Sequence, residues 1–149
     1  MNEAKVRLDE GMKTSIQIRD FTLIADEPES VGGTNLGPTP KELLLGALAA
    51  CAAVTARMYA QRKGWPLEGV EVDVSTERFK AVDYPGFTGT ADFLNEFRQR
   101  IQFKGPLTHE QKERLLEIAG KCPVHRILTE PNFLFEELVL DDETIAEEL

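Results

Sequence analysis

The residues best suited to chemistry in this sequence are its two cysteines, Cys51 and Cys122. Cys51 lies inside the most apolar segment, at the end of GPTPKELLLGALAAC (37–51). An apolar environment favours the neutral thiol over the thiolate, and only the thiolate is a good nucleophile. Cys51 is therefore either an inert core residue or a nucleophile that receives a cation from elsewhere in the fold.

A cation for Cys51 would have to come from an arginine or a lysine. The sequence offers Arg19 on the second predicted strand and Arg7 on the first. A guanidinium is always charged, so either arginine suits the task. Spacing alone does not choose between them.

Cys122 directly precedes a proline in the segment KCPVHRIL. Because proline suits the first position of a helix, Pro123 predicts a short helix with Cys122 as its N-cap. The free N–H groups and partial positive charge at that end would favour the thiolate. His125 could pair with Cys122 on a metal, but two ligands without a further Cys/His cluster do not favour a metal site.

Cys51 itself is predicted to lie on a long helix. Thr39 can cap this helix, Pro40 suits its first position, and Glu42 can complete a capping box. Gly64 and Pro66 in RKGWP predict its end. The first half is apolar on every side, which predicts burial on every side, whereas polar residues after Val54 predict a solvent-facing end.

The other elements follow from hydropathy periods. Two extended segments, AKVRLDE and KTSIQIRDFTLIAD, meet at Glu10–Gly11, and the second changes its period near Arg19–Asp20, which predicts a bulge or turn. Further on come two strands, GVEVDVSTERF and EFRQRIQFKG, an amphipathic helix capped by Thr108, the helix after Cys122, and a last strand, NFLFEELVL. The order ββαββααβ predicts an α+β domain with an antiparallel sheet.

Composition restricts the class of protein. A chain of 149 residues suits a single domain, 1–149, with its own core. Its start is charged, and its longest apolar run falls short of the roughly 20 residues that span a bilayer, so we expect a cytoplasmic protein with no membrane partner. The net charge of −9 argues against nucleic acid. The acidic end, EELVLDDETIAEEL, is predicted to be a solvated tail.

Two stretches, GPTPKELLLGALAACAAVTARMYAQRKGWPLEGVEV and LLEIAGKCPVHRILTEP, resemble the OsmC/Ohr family of osmotically induced and organic-hydroperoxide-resistance proteins. The first stretch is most similar to a branch with the pattern GPTPxELL…CPVHR. The similarity in element order covers nearly the whole chain. It implies an OsmC-like fold in which antiparallel sheets wrap around long central helices in an intertwined homodimer.

The resemblance also implies an activity. Family members reduce organic hydroperoxides with a peroxidatic and a resolving cysteine, which correspond to Cys51 and Cys122. The implied partners are an apolar hydroperoxide substrate and an external dithiol reductant, and no metal or organic cofactor is required. The family's catalytic carboxylate and arginine would correspond to Glu42 and to Arg19 or Arg7.

The sequence departs from the characterised peroxidases at one catalytic position. Their glutamate lies ten residues before the first cysteine, where this chain has Lys41, and the acid is at Glu42. Nine residues of helix place Glu42 about half a turn and about 13 Å from Cys51, so we expect any contact to come from a second chain. The alternatives are that Glu42 only closes its capping box and that the protein is a non-catalytic ligand-binding or stress-associated module.

Overall fold

The computed structural model describes residues 1–140. They fall into two compact units, one formed by Met1–Pro40 with residues 130–140 and the other by Lys41–Thr129. In chain order the elements are β1 (Lys5–Arg7), β2 (Thr14–Ile18), β3 (Phe21–Ala25), α1 (Pro40–Lys63), β4 (Gly69–Lys80), β5 (Phe93–Lys104), α2 (His109–Ala119) and α3 (Pro123–Thr129). Both sheets are antiparallel, so the predicted α+β class is confirmed.

The first unit contains a three-stranded sheet in the order β1-β2-β3. The segment predicted as one irregular strand is a hairpin in which Ile18 faces Phe21 across a two-residue turn. Arg19 adopts the left-handed region, with φ of 53°, and its carbonyl accepts a hydrogen bond from the Gln17 side chain at 2.5 Å. The predicted turn at Arg19–Asp20 is therefore confirmed, and it shifts the hydropathy period by one residue.

The loop between β3 and α1 is organised around the buried carboxylate of Asp26. One carboxylate oxygen accepts from the backbone N–H of Glu27 at 2.8 Å and of Thr34 at 3.4 Å. The other accepts from the Thr34 hydroxyl at 2.6 Å and the Leu36 N–H at 3.1 Å. These hydrogen bonds, the Thr34 hydroxyl first, lower the pKa of Asp26 from 3.8 to about 2.

The second unit is built on one face of α1. Ala52, Ala56 and Ala60 recur every four residues, which places them on a single helix face, and all three are buried. They form a core cluster with Leu67, Phe103, Leu115 and Ala119. Strand β5 and helix α2 therefore cover this face of α1.

The end of α1 is fixed by backbone and side-chain hydrogen bonds. Gly64 takes a positive φ of 67°, and the Trp65 N–H donates to the Ala60 carbonyl at 2.9 Å. Arg57 was predicted to face solvent, but its guanidinium donates to the carbonyls of Leu67 and Glu68. The arginine thereby holds the chain that leaves the helix, which explains why a cation is partly buried here.

The opposite face of α1 contradicts the prediction that the first half of this helix is buried on every side. Val54 is 56% exposed, and the small residues Gly46, Ala47 and Ala50 are exposed as well; the same face continues to Met58, which is 60% exposed. One hairpin and α2 cover only one side of a helix, so a further layer is needed to cover the other. By length and composition alone α1 could also cross a membrane, a test that core helices of soluble proteins pass too.

The predicted last strand is wrong for the single chain. Residues 132–140 have no regular secondary structure, and Phe133 and Phe135 are largely exposed. A strand requires a neighbour for its backbone hydrogen bonds, and among residues 1–140 none pairs with this segment. Most of the predicted acidic tail, from Asp141, lies outside the described residues.

The Asp26 loop generates a prediction about stability and pH. Asp26→Asn replaces an acceptor oxygen by an NH2 group that faces N–H and O–H donors, so we expect it to destabilise the fold. The native pKa lies below the unfolded value, so the carboxylate stabilises the fold above about pH 4 and loses this effect towards about pH 2. Urea unfolding should therefore show a higher free energy of unfolding for the wild type than for Asp26→Asn. This difference should be largest near neutrality and should decrease between about pH 4 and about pH 2.

The matched control is Asp73→Asn, which changes an exposed carboxylate on β4. This variant should unfold like the wild type at each pH. A difference in the free energy of unfolding between wild type and Asp26→Asn that stays constant down to pH 2 would contradict the lowered pKa of Asp26.

Candidate functional site

The structure brings the two thiols together within the second unit. Cys51 lies in the middle of α1 and is half-buried, whereas Cys122 precedes α3 and is fully buried. Both are free thiols, and Cys51 lies near enough to Cys122 to be one of the groups that raise the pKa of Cys122. Cysteines 71 positions apart in the chain, from 51 to 122, are therefore direct neighbours in the fold.

Cys122 occupies the predicted N-cap position of α3. Its sulfur accepts a hydrogen bond from the His125 backbone N–H at 3.3 Å, and its carbonyl accepts one from the Arg126 N–H at 3.0 Å. Its own N–H donates to the Ala119 carbonyl at 3.3 Å, which connects it to the end of α2. Backbone hydrogen bonds to α3 on one side and to the end of α2 on the other therefore fix the position of Cys122.

The predicted preference of Cys122 for the thiolate is wrong. Burial, followed by the neighbouring Cys51, raises the pKa of Cys122, although the N–H groups of His125 and Val124 act in the opposite direction. A helix N-terminus contributes about 0.3–1 kcal/mol, whereas burial can shift a pKa by several units. Desolvation therefore outweighs the helix, and Cys122 is a neutral thiol at physiological pH.

Glu42 lies on the first turn of the same uninterrupted helix as Cys51. Nine residues correspond to about 13 Å along the axis and about half a turn around it. Glu42 and Cys51 of one chain therefore lie on opposite faces of α1, one near its start and the other near its middle.

The two candidate arginines both belong to the first unit but differ in their local contacts. Arg7 is on β1 and pairs with Asp9 at 2.9 Å. Arg19 is in the β2–β3 turn, where its guanidinium lies over the Phe21 ring at 5.1 Å. Within residues 1–140 no carboxylate pairs with Arg19. Of the two candidates, Arg19 is therefore the one that has no carboxylate partner among residues 1–140.

An apolar groove lies near the thiol pair, and its lining residues were not identified from the sequence. It has a volume of about 580 Å³ and is lined mainly by apolar surface, from Thr55, Met58, Gln61, Arg62, Ile118 and Pro123. Pro123 adjoins Cys122, and Thr55 lies one turn after Cys51. The signal in the sequence is the spacing 51, 55, 58 and 62, which places these side chains on one helix face.

Comparison with known proteins identifies the family. The sequence profile of the OsmC-like protein family matches residues 33–135, which is more than half of the chain and includes both cysteines. The chain belongs to the OsmC family. No curated protein sequence matches it, and its assignment to the GPTPxELL branch stays a prediction.

Solved OsmC structures share the fold of this chain. An OsmC-like protein from Mycoplasma pneumoniae has a TM-score of 0.68 and 21% identity, covering 87% of both chains. An organic hydroperoxide resistance protein OsmC from Legionella pneumophila has a TM-score of 0.62 and 21% identity, covering 86% of this chain and 88% of its own. The OsmC-like architecture of the chain is therefore confirmed.

The asymmetry of the two thiols predicts their order of alkylation. At neutral pH we expect iodoacetamide to modify Cys51 first and Cys122 at least about tenfold more slowly, because Cys122 is buried and its pKa is raised. Peptide mass spectrometry of timed samples measures both rates. Cys51→Ser should leave Cys122 slow, since burial is the largest cause of its raised pKa.

The unfolded protein serves as the control for this experiment. In urea both cysteines should react at similar rates, because the burial and the hydrogen bonds at Cys122 are lost. If Cys122 reacts faster than Cys51 in the native protein, the predicted order of alkylation is wrong.

Proposed function

We propose that this protein is a thiol-dependent peroxidase that reduces organic hydroperoxides with Cys51 and Cys122. The observation that carries the proposal is the contact of two free thiols, one half-buried and one fully buried, inside an OsmC fold. Two neighbouring thiols can together give up two electrons to an oxidant, and a disulfide forms between them. No metal or organic cofactor is needed for this reaction.

The reaction begins at Cys51. Its thiolate attacks the distal oxygen of the hydroperoxide, the O–O bond breaks, and the alcohol leaves after taking up a proton. Cys51 is then a sulfenic acid, and the hydroperoxide has been reduced by two electrons. Cys122 attacks the sulfenic sulfur, an S–S bond forms and water leaves. An external dithiol restores both thiols by exchange.

The neutral state of Cys122 favours this order of roles. A thiol whose pKa is raised is a poor nucleophile towards peroxide, so it does not compete with Cys51 for the substrate. Its contact with Cys51 allows it to act once the sulfenic acid has formed. The N-cap hydrogen bond from His125 then stabilises negative charge that develops on the Cys122 sulfur.

Arg19 is the proposed activator of Cys51, and Glu42 the proposed carboxylate that orients it. The absence of an ion pair at Arg19 among the described residues favours it over Arg7, which is paired with Asp9. Since Glu42 is on the far face of its own helix, the proposal places it in the site formed by a second chain. The exposed apolar face of α1 supports a homodimer that buries this face.

The remaining parts of the proposal concern the whole chain. We propose that residues 1–149 act as one OsmC-like domain in the cytoplasm. The Legionella relative is named for organic hydroperoxide resistance, which agrees with the proposed substrate class. The apolar groove beside the thiols favours alkyl or lipid hydroperoxides over the strongly hydrated hydrogen peroxide.

Substitution of Cys51 and substitution of Cys122 should stop the reaction at different steps. Cys51→Ser should abolish reduction of cumene hydroperoxide, because no other group forms the sulfenic acid. Cys122→Ser should consume one equivalent of hydroperoxide rapidly and then stop, because the sulfenic acid cannot be resolved. Stopped-flow consumption and a sulfenic acid probe distinguish the two results. Equal loss of the first turnover in both variants would contradict the assigned roles.

The proposed activator is tested by a pair of matched variants. Arg19→Ala should slow both alkylation of Cys51 and hydroperoxide reduction by about tenfold or more at neutral pH, because the thiolate loses its cation. Arg7→Ala removes the same charge from a residue already paired with Asp9 and should have little effect. Circular dichroism checks that both variants are folded.

The other outcomes of this pair are equally informative. If Arg7→Ala has the larger effect, the activating role belongs to Arg7. If neither variant changes Cys51 reactivity, the alternative function, a non-catalytic module that binds a small apolar ligand, is favoured instead.

A further inference from the structure

The start of α3 repeats a side-chain arrangement that is complete at the start of α2. At α2 the Gln111 backbone N–H donates to the Thr108 hydroxyl at 3.1 Å, and the Gln111 side chain reaches back to accept from the Thr108 N–H at 2.9 Å. At α3 the His125 N–H donates to the Cys122 sulfur at 3.3 Å, again across three residues. His125 therefore occupies the position in α3 that Gln111 occupies in α2.

Helix geometry directs the His125 side chain back towards Cys122. Side chains on a helix point towards its N-terminus, so the third helical residue lies over the residue that caps the helix, as Gln111 does over Thr108. The Cys122 backbone N–H already donates to the Ala119 carbonyl at 3.3 Å and does not need a side-chain acceptor. The half-buried imidazole of His125 can therefore serve the Cys122 thiol instead.

The second step of the proposed reaction needs a proton acceptor at this thiol. Burial, followed by the neighbouring Cys51, raises the pKa of Cys122, so the thiol keeps its proton at neutral pH. A neutral thiol attacks sulfur poorly, because the thiolate is the nucleophile. A base that removes the proton as the S–S bond forms would therefore accelerate this step.

The ionisable groups around Cys122 leave His125 as the suitable base. From α1 the neighbouring group is Cys51, which is itself the oxidised partner in this step, and α2 ends here in a buried alanine. Lys121 and Arg126 flank the site in sequence, but they are exposed cations and have no acceptor atom. An imidazole both accepts and returns a proton near neutral pH.

We propose that His125 is a further catalytic residue, whose imidazole accepts the Cys122 proton in the resolving step and returns it to the leaving hydroxide. This inference rests on the proposed peroxidase function and adds the proton transfer of its second step. The Cys122 sulfur attacks the Cys51 sulfur, and the S–O bond of the sulfenic acid breaks. The hydroxide takes the proton from the imidazolium and leaves as water, so the imidazole is neutral again at the end.

The direct test uses a mixed disulfide and needs no hydroperoxide. Dithiobis(nitrobenzoate) forms a mixed disulfide with Cys51, and Cys122 then attacks the Cys51 sulfur and releases a second thionitrobenzoate. The absorbance of this product gives the rate at which Cys122 loses its proton and attacks. In the wild type this rate should rise with pH through a histidine titration between about pH 5 and 8 and then level off.

Substitution of His125 removes the imidazole and keeps the backbone N–H that contacts the Cys122 sulfur. His125→Gln should slow the second release about tenfold or more at neutral pH, and the rate should rise steadily with pH as the thiolate forms. The matched control is His109→Gln, which removes the other of the two histidines, an exposed residue at the start of α2. This control should keep the wild-type rate and pH profile.

Two results would overturn the inference. The first is a second release with the same rate and pH profile in the wild type and in His125→Gln. The second is faster alkylation of Cys122 by iodoacetamide in native His125→Gln than in the native wild type. That result would mean that the imidazole only covers the thiol. We expect alkylation of Cys122 to be no faster in the variant, because its burial is retained.

Hydroperoxide kinetics distinguish this inference from the proposed function. With cumene hydroperoxide, the sulfenic acid on Cys51 should persist about tenfold or more longer in His125→Gln, while its rate of formation stays the same. If the hydroperoxide is reduced and the sulfenic acid decays equally fast in both proteins, the inference about His125 is wrong and the peroxidase proposal is unaffected. If no hydroperoxide is reduced but the second thionitrobenzoate release depends on His125, the peroxidase proposal is wrong and the role of His125 as the base for Cys122 stands.

Discussion

The core shared by α1 and α2 is the constraint on which the site depends. Ala52 and Ala56 of α1 and Ala119 of α2 are all fully buried in one cluster, which holds the two helices in a fixed relation. Directly after α2, the Cys122 N–H donates a hydrogen bond to the Ala119 carbonyl, and this bond fixes the position of the second thiol. A larger side chain at any of these alanines would separate the helices and, with them, the two thiols.

The same burial gives the two thiols different properties. Cys122 has the features that activate a cysteine, namely an N-cap position and a hydrogen bond from a backbone N–H, but desolvation is the larger effect and keeps it neutral. Cys51 is only half-buried and remains open to a substrate and to a cation. A two-step reaction needs such a difference, because the resolving thiol must be close but must not react first.

Local signals predicted much of the helical unit. The cap at Thr108, the proline after Cys122 and the glycine after α1 each act within a few residues, so they can be read from the sequence. Thr108 caps α2 as predicted, and it does so in a capping box with Gln111. The position of Cys122 at the start of α3 was predicted for the same reason.

Properties that depend on distant parts of the chain were not predictable in this way. The pKa of Cys122 is raised by burial and by the neighbouring Cys51, and Arg57 is partly buried because the chain turns back towards it. The segment 132–140 has the residues of a strand but no neighbour to pair with among residues 1–140. The groove could have been found from the spacing of Cys51, Met58 and Arg62, but its second wall is set by α2 and α3.

The central claim is that Cys51 and Cys122 together reduce an organic hydroperoxide, and a thiol titration tests it most directly. The reduced protein is mixed with increasing amounts of cumene hydroperoxide without oxygen, and the remaining thiols are counted after denaturation. The account predicts that each equivalent of hydroperoxide removes both thiols, yields one equivalent of alcohol and leaves a Cys51–Cys122 disulfide in the peptide map. Thiols that persist in excess hydroperoxide, or that are lost without this disulfide, would contradict it.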